Sequence, residues 1–316
     1  MNTARKQIVR EDLYPSRIEP HPVWIGRQDP VVHSQWRPNA PISETDSQSF
    51  ARDGYLVLDG AFAPEEIAAL EQELARLRAA PDALMRDTLV MEPDADDALR
   101  SIFSVHTQSA LFRALAHDER LVAIARYLLG DEVYIHQSRL NYKPGFTGKE
   151  FYWHSDFETW HIEDGMPRMR ALSMSLLLSE NTANNGPLML MPGSHMHYVA
   201  CVGETPENHY KQSLRKQEYG VPDHESLAKL AKDGIAAPLG APGSLVIFDC
   251  NTMHGSNGNI TPLPRANAFI VFNAVSNAIG APFGAVAPRP EFIAAREDQA
   301  PITPRRGSLA GLAKAA

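Results

Sequence analysis

The chain has little cysteine. Cys201 and Cys250 are its two thiols among 316 residues, and they lie outside any C-x-x-C spacing. Neither a disulfide framework nor a thiolate zinc site is therefore expected, and both read as small buried hydrophobes. A basic excess is missing as well: 30 Lys and Arg against 38 Asp and Glu give a formal net charge of −8. Such a surface cannot neutralise a phosphate backbone, which excludes a general nucleic-acid binder. No apolar run approaches the length of a bilayer span, and the positive N-terminal stretch MNTARKQIVREDLYPSR has no apolar segment behind it. The expectation is a cytoplasmic protein with no membrane partner. Internal repeats are absent too.

The apolar fraction of 44% and charged fraction of 22% are those of a globular protein large enough for one big domain or two ordinary ones. Residues 1–45 are rich in Pro, Arg and His without periodicity and read as an arm that lies on the body or stays mobile. From Pro64, PEEIAALEQELARLRAA places Ile67, Leu70, Leu74 and Leu77 on one helical face, with proline at the start and acids in the first turn. A second helical unit runs through ALFRALAHDERLVAIARYLLG, where Leu121, Ile124, Ala125 and Leu128 share a face and Gly130 supplies the stop. Both read as scaffold helices packed on a sheet.

After Gly130 the texture changes to short β-like runs, EVYIHQSRLNYK, RALSMSLLLS, PLMLM, SLVIFD and AFIVFNAV, separated by Asn, Gly and Pro. Many short strands without intervening helices predict a sandwich or jelly roll. In the first run Gln137, Arg139, Asn141 and Lys143 share one parity, with Tyr134, Leu140 and Tyr142 on the other. An all-polar strand face suits the lining of a barrel that holds a polar ligand.

The stretch YWHSDFETWHIEDG, Tyr152 to Gly165, concentrates histidines, carboxylates and tryptophans. In a strand or its extension His154 and Asp156 point the same way and can reach one ion. Alone this is a weak signal in a chain with 12 histidines, and His161-Ile-Glu163 is a rival of similar form. The second half comes in APGSLVIFDCNTMHGSNGNITPLPRANAF, where a β-run ends in a turn carrying His254, with Arg265 following. Two imidazoles and one carboxylate without a thiolate match the facial triad of non-haem Fe(II) oxygenases, which leaves positions open for co-substrate and O₂. Arg265 could grip the far carboxylate of a 2-oxo acid through its guanidinium fork, and Ser256 could add a hydroxyl. His161, Glu163 and Asp164 read as supports of the loop after the metal strand, and His195 as a turn-stabilising residue.

The order H-x-D, LMLMPGSH, then a strand leading to HGSxxN and an arginine, resembles the phytanoyl-CoA-hydroxylase-type superfamily of Fe(II)/2-oxoglutarate dioxygenases. Within it, FYWHSDFETWHIEDGMPRMRALS and NAFIVFNAVSN resemble the ectoine hydroxylases, a likeness that runs from DLYPSR to about residue 295. That resemblance implies a mainly β fold with flanking helices around a double-stranded β-helix (jelly-roll, cupin-like) core. It implies an N-terminal arm over residues 1–45, one catalytic domain over 46–295 with its core at about 131–278, and a tail over 296–316 that carries nothing informative. It further implies a homodimer that hydroxylates ectoine to 5-hydroxyectoine in a cell under osmotic or heat stress. By motif position, His154, Asp156 and His254 would bind iron. Asn141, Lys143, Ser173, Ser256 and Arg265 would hold 2-oxoglutarate. Gln137, Arg139, Glu150, Thr159, Trp160, Phe248, Asn267 and Phe269 would surround the substrate. Trp160 suits a cationic ring by cation–π attraction, and Gln137 or Arg139 a carboxylate.

Two other readings stay open on the residues. One is an oxygenase of the same superfamily acting on another small zwitterion or amino acid such as proline. The other is a jelly-roll protein that binds a metal or a solute without turnover, against which the aromatic enclosure and Arg265 count, because a structural metal site should be closed by protein ligands.

Overall fold

The β-rich half of the sequence folds into antiparallel sheets, as its short alternating runs predict. A computed structural model describes residues 11–92, 95–208, 210–214 and 219–313. Its strands are β1 (Val23–Gly26), β2 (Tyr55–Leu58), β3 (Leu89–Glu92), β4 (Ala95–Phe103), β5 (Val133–Lys143) and β6 (Phe151–His154), followed by β7 (Ala171–Leu177), β8 (Leu188–Leu190), β9 (His197–Ala200), β10 (Leu245–Asp249), β11 (His254–Ser256) and β12 (Arg265–Ala274). Seven of them form a large sheet in the order β2-β10-β7-β12-β5-β4-β3, three form a small sheet in the order β6-β11-β8, and β1 pairs with β9. The five strands at the heart of the large sheet pair antiparallel, as do the strands of the small one. The fold is a jelly roll.

Strand period decides what faces where. On β12, Ala266, Ala268, Ile270 and Phe272 join the helices in the largest core, whereas Phe269 and Val271 belong to apolar clusters on the inner side. The register sets Lys143 opposite Arg265, Asn141 opposite Asn267, Arg139 opposite Phe269 and Gln137 opposite Val271, so the polar parity of β5 points inward as expected. One expectation changes. The register slips where Ile135 pairs with Phe272 and Gln137 with Val271, leaving His136 as the extra residue of a bulge. Tyr134 is thereby returned to the inner side, where its hydroxyl accepts from the Asn273 amide at 2.8 Å.

The helix Pro64–Ala79 buries Ile67, Leu70, Leu74 and Leu77, each worth roughly 1.5–3 kcal/mol of removed apolar surface. The second helical unit is two helices, Ala110–Ala116 and Glu119–Leu129. Asp118 divides them, because its carboxylate accepts the Arg120 N–H at 3.0 Å and caps the second helix. Gly130 ends that helix at φ 59°.

The arm lies on the body: Tyr14 is fully buried and β1 pairs with β9. The tail is not inert. The Ile302 N–H donates to the Val133 carbonyl at 2.9 Å, and Leu309 is buried with its N–H on Glu66 at 2.9 Å. Residues 1–10 of the arm and 314–316 of the tail lie outside the described residues. Among the described residues no helix is long and apolar enough to cross a membrane.

Candidate active site

The two candidate histidines meet across the small sheet. His154 ends β6 directly opposite His254 on β11, with ring centroids 4.2 Å apart. Asp156 does not continue the strand, as the sequence reading had it. It is the first residue of a helix, Asp156–Asp164, because the chain turns at Ser155, whose hydroxyl bonds Asn251 at 2.9 Å. The result still converges: Asp156 Oδ1 lies 3.8 Å from His154 Nε2, Oδ2 lies 3.9 Å from His254 Nε2, and one donor atom of each residue falls within 4.8 Å of the others.

The tautomers follow from the partners. His154 Nδ1 faces the Tyr152 carbonyl at 2.7 Å and His254 Nδ1 the Thr252 carbonyl at 2.9 Å. A carbonyl only accepts, so each Nδ1 carries the hydrogen and each Nε2 offers a lone pair. Burial and the neighbouring His254 push His154 down to about 3, and burial also lowers His254. Burial alone would raise Asp156, but the charge of Arg139 and the hydrogen bond from Ser173 act against it, and its pKa lies below the usual carboxylate range. Two neutral imidazoles and a carboxylate without sulfur suit a borderline divalent ion such as Fe(II), with positions left for other ligands.

The cavity beyond the triad has a cationic end. Lys143 and Arg265 are directly opposite on β5 and β12, and like charges so placed repel. Lys143 donates to the Ser256 hydroxyl at 2.9 Å and to the Asn257 carbonyl at 2.5 Å. Burial first, then Arg265 and Arg100, push its amine down to about 6. Arg265 is 7% exposed, its Nε has no hydrogen-bond partner among the described residues, and burial followed by Arg100 lowers it to about 10. Asn141 lines the same end and accepts from Ser101 at 2.9 Å. A buried guanidinium with no acidic partner among the described residues, beside a depressed lysine, has the chemistry to take a carboxylate.

Gln137, Arg139, Thr159, Trp160 and Phe269 line the same cavity at its other end. The Gln137 amide donates to the Ile293 carbonyl at 2.7 Å, while Arg139 donates to the Gln137 carbonyl oxygen and lies 4.7 Å over the Phe269 ring.

Four expected contact residues are not on the cavity wall. Phe248 is fully buried between the sheets, with its ring 4.9 Å from that of His254, so it backs a ligand-bearing histidine. Asn267 turns its amide to Ser175 at 2.9 Å. Ser173 lies behind Asp156 and donates to Oδ2 at 3.2 Å, supporting that carboxylate rather than reaching the cavity. Glu150 is exposed, and only its carbonyl approaches, accepting from Arg100 at 3.0 Å.

Three charged wall residues went unread. Two of them, Arg100 on β4 and Glu92 on β3, pair at 2.8 Å. Arg289 arrives from the segment after β12 and forks onto Asp164 at 2.9 and 2.5 Å. The supporting roles of His161, Glu163 and Asp164 do appear, on a helix instead of a loop: His161 bonds Asp12 at 2.9 Å, and Glu163 pairs with Arg17 at 2.9 Å. His195 is buried with Nε2 3.2 Å from the Ala51 carbonyl.

Comparison with known proteins places this arrangement. The phytanoyl-CoA dioxygenase family pattern matches residues 50–267. The chain is 61% identical to the ectoine dioxygenase of Sphingopyxis alaskensis, over 95% of this chain and 98% of that one. It is 57% identical to the ectoine dioxygenase of Stutzerimonas stutzeri, covering 93% and 97%. The crystal structure of EctD from S. alaskensis with 2-oxoglutarate and 5-hydroxyectoine superposes with a TM-score of 0.87 at 57% identity, covering 95% of this chain and all of that one. A further structure of that protein carries bound Fe, with a TM-score of 0.86 over the same 95%. The chain belongs to the phytanoyl-CoA dioxygenase family and, within it, to the ectoine dioxygenases.

Proposed function

We propose that the protein is an Fe(II)- and 2-oxoglutarate-dependent dioxygenase that hydroxylates ectoine to 5-hydroxyectoine, releasing succinate and CO₂. The observation that carries this is the pairing, in one cavity, of a three-donor metal set with a buried guanidinium that has no acidic partner among the described residues. The bound 2-oxoglutarate and 5-hydroxyectoine of the S. alaskensis relative support the choice of ligands.

His154, Asp156 and His254 hold the iron, which when bound supplies the O₂ chemistry that decarboxylates the 2-oxo acid and oxidises the substrate. Arg265 and Lys143 take the distal carboxylate of 2-oxoglutarate, the first through its fork and the second as a point charge, with Ser256 and Asn141 beside them. Trp160 forms the wall against the delocalised cationic ring of ectoine, and Arg139, Gln137 and Thr159 supply polar groups for its carboxylate. Phe269 and the aromatic wall exclude water, so that the oxidant meets the C5 hydrogen and little else. Phe248, Ser173 and Asn267 serve from behind the wall, and Glu150 acts only through its carbonyl. The protein works as a cytoplasmic homodimer in making a compatible solute.

The test is anaerobic loading with Fe(II) and 2-oxoglutarate, followed by oxygen and a panel of solutes that includes ectoine and proline. Ectoine-dependent succinate with one equivalent of 5-hydroxyectoine is expected. Turnover of proline in preference to ectoine would replace the substrate, and no succinate with any solute would leave a binding protein.

A further inference from the structure

Asp156, Thr159 and Trp160 face the cavity from one side of the helix Asp156–Asp164, and the other side is covered by the N-terminal arm. Arg17 is the centre of that cover. Its guanidinium, with the side chain 3% exposed, forks onto Glu158 at 3.0 and 2.7 Å and reaches Glu163 at 2.9 Å and Thr205 at 2.8 Å. Ser16 donates to the same Glu158 oxygen at 2.7 Å, and Tyr14 sets its ring edge-on to Phe157 at 5.2 Å. Arg17 adopts φ 60°, a left-handed conformation that costs a residue with a Cβ, and its N–H is fixed to the Cys201 carbonyl at 2.8 Å. At Gly220 a Cβ would stand 2.4 Å from Glu158 Oε2 and 2.9 Å from an Arg17 nitrogen, so any side chain there would have to displace the ion pair.

A helix of nine residues does not hold itself in water. Its burial sets Glu158 and Glu163, each with a side chain 1% exposed, where a carboxylate needs a counter-charge. Arg17 supplies that counter-charge to Glu158 and shares Glu163 with Arg289, whose Nε lies 3.8 Å from it. Glu158 and Asp156 are two positions apart, roughly 200° around the axis, so whatever fixes Glu158 on the outside fixes the rotation of Asp156 on the inside.

We propose that Arg17 is a positioning residue for the iron and substrate ends of the site: the arm locks the rotation of the helix and, through it, the Asp156 carboxylate and the Trp160 wall. The co-substrate end stands on β5, β11 and β12 rather than on this helix, and should therefore respond less to the loss of Arg17. The substrate half of this inference rests on the function proposed above.

The test uses the full chain and its Arg17→Gln, Arg17→Lys and Ser16→Ala variants. Four quantities are read: melting of the metal-free protein, Fe(II) affinity by anaerobic chelator competition, the separate KM values, and 5-hydroxyectoine formed per succinate. At a temperature where it is fully folded, Arg17→Gln should weaken Fe(II) binding about 10-fold, the scale seen when a group behind a metal ligand is lost. It should also raise the ectoine KM and lower the product-to-succinate ratio, while the 2-oxoglutarate KM stays within about twofold. Arg17→Lys, which keeps the charge and loses the fork, should fall between the two. Parental iron affinity and coupling in folded Arg17→Gln would overturn the proposal, and so would a parallel rise of both KM values. If Arg17→Gln does not fold, Ser16→Ala must show the same pattern on a smaller scale, and parental values there would overturn it equally. A parent that forms no 5-hydroxyectoine removes the function reading, and the iron affinities still decide the role of Arg17.

Discussion

The cationic end of the cavity stands on regular strands, with Lys143 and Arg265 paired across β5 and β12 and Ser256 on β11. The opposite end is assembled from a short helix, an arm wrapped behind it and a segment returning after β12 that brings Arg289 and the Ile293 carbonyl. One end inherits its geometry from a ladder of backbone hydrogen bonds. The other depends on ion pairs between residues far apart in sequence: Arg17 with Glu158, and Arg289 with Asp164. On the function proposed above, the difference teaches that co-substrate binding and substrate binding should be separable by substitution, with variants sorting by the end they touch.

The largest effect belongs where the two ends meet. Ala in place of His154, Asp156 or His254 should abolish turnover and bound iron while circular dichroism stays parental, since each removes one of three donors. Asp156→Ala with full activity would remove the facial triad. Chelation of the metal should likewise stop succinate formation in the parent, and re-addition of Fe(II) should restore it.

Legibility in the sequence follows the same division. The period of two on β5 exposed Gln137, Arg139, Asn141 and Lys143 as one face, and the structure sets all four on the cavity wall. The helix carrying Asp156 stayed hidden because it is buried nearly all round, with Phe157, Trp160 and Ile162 on different sides, so no amphipathic stripe marks it. Phe248, Asn267 and Ser173 had inward parity, but parity says which face a side chain leaves, not whether another side chain stands in front of it. Arg17, Arg100 and Arg289 carry no local pattern at all, because their partners are set by tertiary folding. The bulge at His136 left no mark in the alternation and moved Tyr134 across the sheet.

Next in size is Arg265, whose substitution should affect the strand-built end alone. Arg265→Lys keeps a charge and loses the fork, so the 2-oxoglutarate KM should rise by roughly 10- to 100-fold, the loss of one or more charge-assisted hydrogen bonds. The ectoine KM should change far less. An equal rise in both would show that the two ends are one coupled unit.

Trp160 tests the helix-built end. Trp160→Ala removes ~0.5–2 kcal/mol of cation–π attraction together with packing, and the C5 hydrogen then sits less well for oxidation. The ectoine KM should rise and product per succinate should fall, with Trp160→Phe retaining more of both and the 2-oxoglutarate KM staying near parental. Parental coupling in Trp160→Ala would make the indole plain scaffold.

The smallest effect, taken per pH unit, is a pH dependence confined to the strand-built end. Burial, then Arg265 and Arg100, push the Lys143 amine from its ordinary 10.5 to about 6, so in the free enzyme it is neutral over most of that interval. Its folded pKa is depressed, so the stability it contributes is full above 10.5 and is lost as pH falls toward 6, where the unfolded chain holds a proton that the folded one does not. A carboxylate placed beside it reverses the preference and favours the charged amine. Binding of 2-oxoglutarate should therefore take up a proton between about pH 6 and 10.5, and its affinity should fall by roughly three- to tenfold per pH unit above neutrality, levelling off below about 6. Arg265, at about 10, stays charged through most of this window and adds little slope near neutrality. Calorimetry in two buffers of different ionisation enthalpy counts the proton directly. Lys143→Met should remove the slope, weaken binding and raise the melting temperature of the ligand-free protein near neutral pH, because the folded site no longer excludes a proton. Affinity that is flat with pH, with no proton taken up, would mean that Lys143 is already charged in the free site and that the strand-built end is a fixed dication awaiting its anion.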